Sequence, residues 1–155
     1  MSQGPVLFAY DGSVHARTAI EHAGNVLQTG PAVVATAWTS FEDASPGVLH
    51  VLPKHMIGEA VGTLDEASRE TAEALAAEGA ALAKAAGFDA QPRAVRAGGP
   101  YFAALLETAD ELDARAVVAG SRGRSSFAAA VLGSVSTGLL HHTRRPVLVV
   151  HADAD

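Results

Sequence analysis

Two short segments hold most of the chemistry this chain can offer. Gly120-Ser121-Arg122-Gly123 is followed by nine residues and then by Gly133-Ser134, a G-x2-G-x9-G-[ST] spacing. Glycine has no Cβ, so main-chain amides at Gly120 and Gly123 can approach phosphate oxygens closely, and a helix opening at Gly133-Ser134 adds N–H groups and a hydroxyl. The partial positive charge of a helix N-terminus suits an anion there, and Arg122 and Arg124 strengthen the field. Near the start of the chain, Asp11-Gly12-Ser13 closes an apolar run with ordinary turn chemistry and leaves one acid at its end.

Other chemistries lack their residues. No G-x4-G-K-[ST] occurs, and the lysines, Lys54 and Lys84, both precede the glycine motif. No G-x-G-x-x-G follows the first apolar run, and no G-x-S-x-G elbow supports a hydrolytic triad. His141 and His142 are adjacent, about 100° apart on a helix, and cannot chelate one ion as an i, i+4 pair can. His50 and His55 sit without a ligand partner pattern, so no metal site is expected. Asp11 is the one acid at the motif ends, which leaves no general base for efficient turnover.

The elements that must position these segments read as alternating strands and helices. Apolar runs at 5–10, 32–38, 114–119 and 146–150, with 89–96, predict five strands. Ala16, Ile20, Ala23 and Leu27 give one stripe of a helix over 14–28, capped by Ser13. Leu64, Thr71, Leu75, Leu82 and Ala86 predict the inner face of a helix over 59–86. Gly98-Gly99-Pro100 opens a third helix with Phe102, Leu105, Ala109 and Leu112 inward, and 134–142 forms the last. Residues 39–58, with Pro46, Gly47 and Pro53, read as a flap or irregular loop, and 120–133 as a Gly/Ser/Arg loop. Arg144-Arg145 is expected to cap the last helix.

Strands apolar along their length and alternating with helices must be covered on both faces. The fold class is therefore α/β, a doubly wound, five-stranded parallel sheet with right-handed crossovers, in one domain over 1–155. Ligands of such sheets lie beyond the carboxyl ends of the strands.

Composition narrows the function further. With 155 residues, 11 Lys plus Arg against 17 Asp plus Glu, and no Cys, a disulfide framework, an iron–sulfur cluster and a thiol nucleophile are excluded, and a reducing cytoplasm is the expected location. The acidic total argues against nucleic-acid binding. No basic or apolar leader is visible in the first 16 residues, and no apolar run reaches the roughly 18 residues a membrane span needs, so no membrane association is expected. Charge is nonetheless uneven: residues 114–152 carry five Arg and no acid.

Ala9-Tyr10-Asp11-Gly12-Ser13, Gly120-Ser121-Arg122-Gly123, Gly133-Ser134-Val135-Ser136 and the terminal Pro146-Val147-Leu148-Val149-Val150 together resemble the universal stress protein family, in its nucleotide-binding branch. The resemblance spans essentially the whole chain. It implies a Rossmann-like sheet in the order 3-2-1-4-5 with ATP, carrying Mg²⁺, in the crevice. Carried over by position, it implies that Ala9, Tyr10 and Asp11 line the site, with the Asp11 carboxylate on ribose hydroxyls. Ala37 would offer backbone to adenine, and Ala119, Gly120, Arg122, Gly123, Gly133, Ser134 and Val135 would surround the phosphates. The chain departs from the family at Thr36-Ala37-Trp38, where a His-Val pair is common, and at Tyr10, where a smaller residue is common. A homodimer through strand 146–150 is implied as well, consistent with an apolar edge that has no charged gatekeeper. The reading is thus a nucleotide-dependent stress-response module. The alternatives are a slow ATPase or phosphoryl or nucleotidyl transferase, or a dimeric interaction module that binds cyclic AMP or no nucleotide.

Overall fold

The computed structural model describes residues 3–123 and 132–152. Arg124 and the rest of the loop up to residue 131 lie outside the described residues. Five strands form one parallel sheet in the order β3-β2-β1-β4-β5: β1 (Val6–Ala9), β2 (Pro31–Trp38), β3 (Asp89–Arg96), β4 (Ala116–Gly120) and β5 (Val147–Val150). This is the expected doubly wound α/β arrangement, with β1 at the centre and β3 and β5 at the edges.

Alternation along β1 sorts the two cores. Val6, Phe8 and Tyr10 point to the face covered by α1 (Val14–Val26) and α3 (Lys54–Ala85), joined there by Ile20, Val34 and Phe88. Leu7 points to the opposite face, where Ala35, Leu105, Val117 and Leu139 pack under α4 (Tyr101–Glu111) and α5 (Ser134–His142). Phe8 meets Phe88 edge to face at 5.1 Å between centroids. Ser13 caps α1 as expected, its Oγ accepting from the Ala16 amide at 3.2 Å.

Three expectations are corrected. Residues 39–58 are not an open loop: a short α2 (Phe41–Ala44) and a 3-10 turn (Val48–His50) occupy them, and α3 begins at Lys54 rather than Glu59. Pro53 stands at the N-cap of α3, a place where proline starts a helix instead of breaking one, and Asp65 holds α2 by accepting from the Phe41 amide at 2.7 Å. The inner face of α3 is only partly the expected one: Leu75, Leu82 and Ala86 pack partly buried against the core, joined by a row of small residues. Ala72, Ala76, Gly79, Ala80 and Ala83 are buried, whereas Thr71 is exposed and Leu64 is 50% exposed. Small side chains win because the helix lies close on the sheet: a Cβ on Gly79 would fall 2.6 Å from Val34 Cγ1 and 2.8 Å from the Tyr10 ring.

Arg145 does not cap α5. Its guanidinium reaches across to the C-terminal end of α4, donating to Asp110 Oδ1 at 3.0 Å, to Asp113 Oδ1 at 3.3 Å and to the Ala114 carbonyl. The carboxylates make that end the stronger attractor for a cation. The α4–α5 contact is close in the same region. A Cβ on Gly138 would collide with the Phe102 ring at 2.1 Å, and His142 stacks on that ring at 4.9 Å with planes 5° apart.

Candidate functional site

Parallel packing carries the ends of β1 and β4 side by side, because Val6, Leu7 and Phe8 pair with Ala116, Val117 and Val118. The loops that leave those strands meet at one crevice. Its cavity measures about 570 Å³, within the range of small-molecule sites. Every residue expected from the sequence lines it: Ala9, Tyr10, Asp11, Ala37, Ala119, Gly120, Arg122, Gly123, Gly133, Ser134 and Val135. Tyr101 and Leu105 from α4 and Ser136 from α5 line it too and were not expected. Leu105 reads from the sequence only as core, Tyr101 lies outside the expected apolar stripe of α4, and Ser136 lies just past the G-x2-G-x9-G-[ST] spacing.

Each turn has a local cause. After β1 the chain reverses through Gly12, whose φ of 80° is the left-handed region where a side chain is disfavoured. Asp11 Oδ1 accepts from the Ser13 amide at 2.9 Å, which fixes the carboxylate at the mouth of α1. Gly123 faces that carboxylate directly. A Cβ there would stand 2.6 Å from Asp11 Oδ2, so the acid and the glycine loop are in contact only because the side chain is missing.

The other two glycines do work the motif alone does not reveal. A Cβ on Gly120 would lie 2.6–2.8 Å from the backbone of His15 and Ala16, so this glycine lets α1 sit on the end of β4. Gly133 is the N-cap of α5 and has no side chain to cap it, but its own amide is not free: it donates to the Ser121 carbonyl at 2.7 Å. The donors left for an anion are those of the first helical turn, Ser134 to Ser136, which have no intrahelical acceptor.

Ser121 joins these parts. It is buried, its amide donates to Val150 of β5 at 2.8 Å, and its carbonyl accepts from Gly133 and from Ser136 Oγ. Its hydroxyl lies 3.4 Å from His15 Nδ1, which also accepts from the Ala152 amide at 3.1 Å.

Tyr10 lines the crevice while its side chain runs between α1 and α3. Its hydroxyl donates to Glu78 Oε1 at 2.5 Å, and Arg17 donates to the same oxygen at 2.7 Å. Burial, reinforced by the hydrogen bond to Glu78 and by that carboxylate's charge, pushes the Tyr10 phenol up to about 12. The larger residue at this position is thereby accommodated without filling the cavity. Among the described residues no group of three or more His, Asp or Glu is placed to hold a metal ion, and no helix is long and apolar enough to cross a membrane.

Residues 4–151 match the sequence pattern of the universal stress protein family. The chain belongs to that family. A segment of 40 residues is 50% identical to a universal stress protein of Mycolicibacterium smegmatis, covering 26% of this chain and 14% of that one. Among solved universal stress proteins, one in complex with cAMP is 27% identical with a TM-score of 0.60, covering 97% of this chain and 98% of its own. A member of the family from Burkholderia pseudomallei is 25% identical with a TM-score of 0.66, covering 97% of both chains. The Lactobacillus plantarum protein, at 14% identity and a TM-score of 0.71, covers 97% of this chain and 99% of its own and shows the shared fold.

Proposed function

We propose that this universal stress protein binds ATP in the crevice between β1 and β4 and acts as a nucleotide-dependent regulatory module. Asp11 accepts from the ribose hydroxyls, the Ala37 backbone receives the adenine edge, and the loop of Gly120, Arg122 and Gly123 with the first turn of α5 takes the phosphates. The observation that supports the reading is the close approach of Gly123 to the Asp11 carboxylate, an acid beside a main-chain turn with no room for a Cβ. Mg²⁺ carried in with the nucleotide would screen the phosphate charge. Among the described residues that line the crevice Asp11 is the one carboxylate, which supports binding rather than turnover as the output.

A second reading, cyclic AMP in the same crevice, is favoured by the relative solved with that ligand. We further propose a homodimer through β5, the apolar edge strand at 147–150, and a cytoplasmic location. The test is a thermal-unfolding series with ATP, ADP, AMP and cyclic AMP, each with and without Mg²⁺. A ligand at 100 times its dissociation constant stabilises by about 2.7 kcal/mol. The largest shift with ATP and Mg²⁺ supports the first reading, the largest with cyclic AMP the second, and no shift with any nucleotide overturns both.

A further inference from the structure

The crevice has two chemically different ends. Donors of the glycine loop and of α5 stand at one, whereas alanines from three neighbouring strands and one side of α4 bound the other. Ala35 of β2 lies opposite Ala9 of β1, and Ala119 of β4 follows Val118, the partner of Phe8. All three share the face that carries Leu7 and Val117, the one covered by α4. Ala37 continues that face, two residues beyond Ala35 along β2. A row of methyls leaves space that longer side chains at these positions would fill, and it forms an apolar floor.

Across from the floor, Tyr101 and Leu105 stand one turn apart on the same side of α4. Leu105 is 3% exposed and belongs to the packed cluster of Ala35 and Ala119, so it closes the inner part of the gap. Tyr101 lies one turn nearer the carboxyl ends of the strands, because α4 must return the chain from the end of β3 to the start of the parallel β4. Its 41% exposure leaves a large aromatic side chain uncovered at the wall of a cavity. Tyr10, the other tyrosine of that wall, is 3% exposed and hydrogen-bonded to Glu78, so its ring is already packed between α1 and α3.

We propose that Tyr101 sets the base specificity of the crevice: its ring stacks on a purine held over the alanine floor, so the site selects purine over pyrimidine nucleotides by stacking area. The inference rests on the nucleotide reading above. A base that enters takes the exposed ring of Tyr101 out of water, and the fused rings of a purine cover more of it than a single pyrimidine ring. Stacking is indifferent to the hydrogen-bonding edge of the base, so this residue acts through ring size and leaves the ribose and phosphate contacts as assigned.

The probes are ATP and UTP, and for the second reading cyclic AMP and cyclic UMP, titrated by calorimetry against the wild type, Tyr101→Phe, Tyr101→Leu and Tyr101→Ala. The wild type is expected to bind the purine member of a pair more tightly. Tyr101→Ala is expected to weaken that member roughly tenfold, the scale of one base–aromatic stack, and the pyrimidine member less, so that the preference shrinks. Tyr101→Phe should keep both affinity and preference, since the ring makes the contact, and Tyr101→Leu should fall between. A thermal melt without nucleotide accompanies each variant, and its midpoint should hold because the side chain is exposed in the first turn of α4. Unchanged purine affinity in Tyr101→Ala, equal losses for purine and pyrimidine, or a wild type with no preference between them overturns the role of Tyr101 and leaves the nucleotide reading standing. A wild type that binds none of the four nucleotides overturns both.

Discussion

At Gly123 a single hydrogen in place of a methyl decides whether the acid and the cradle can share a ligand. Gly123→Val is expected to weaken ATP at least tenfold, roughly the scale of overpacking one contact, with the unfolding midpoint little changed because the residue is exposed. Calorimetric titration beside a thermal melt checks this, and a large loss of stability with affinity retained would contradict it. Tyr10 offers a pH test. Its phenol titrates higher in the folded chain than the ordinary value near 10, so the folded state holds the proton more tightly. The stability this supplies is complete below pH 10 and is lost as pH rises through about 12. Stability of the wild type should therefore fall across that window more steeply than that of Tyr10→Phe, read by denaturant unfolding at a series of pH values. Equal slopes would show that the folded chain does not raise the phenol above its ordinary value.

Among the elements, α3 shows where packing overrides simple hydrophobicity. Leu75, Leu82 and Ala86 face the core as expected and Leu64 and Thr71 do not, while the deepest positions go to a row of alanines and Gly79, because only small residues let a helix rest this close to Tyr10 and Val34. The sequence pattern concealed this, since Leu64 and Thr71 continue the stripe past the part of the helix that meets the core and Gly58 and Gly62 blur the helix start. Gly79→Leu is expected to destabilise by about 1–3 kcal/mol or more through forced displacement of Tyr10, measured by chemical denaturation; an unchanged midpoint would sink that account. Gly120→Ala belongs to the same class, since its methyl would press on the backbone of α1. By contrast, the turn at Asp11-Gly12-Ser13, the start of α5 and all five strands were legible, because short apolar runs closed by turn residues leave few alternatives. What the motif did not disclose was division of labour. One glycine serves helix packing, and the Gly133 amide is already spent within the loop.

The whole molecule places its ligand crevice and its open edge on connected parts of the sheet. Ser121 hydrogen-bonds to Val150 at the end of β5 and to Gly133 at the start of α5, so β5 and the glycine loop share one buried residue. If the dimer forms through β5, Val149→Arg is expected to yield monomers in sedimentation experiments by placing a charge on an edge that otherwise invites pairing; dimers that persist would exclude that edge as the interface. The central claim, a main-chain cradle for phosphates beside an acid that holds the sugar, is tested most directly by the binding of Asp11→Ala to two ligands. The account predicts that ATP affinity falls roughly tenfold or more while inorganic triphosphate affinity is nearly unchanged, since the lost hydrogen bonds go to ribose alone. Equal loss for both ligands, or none for either, would contradict it.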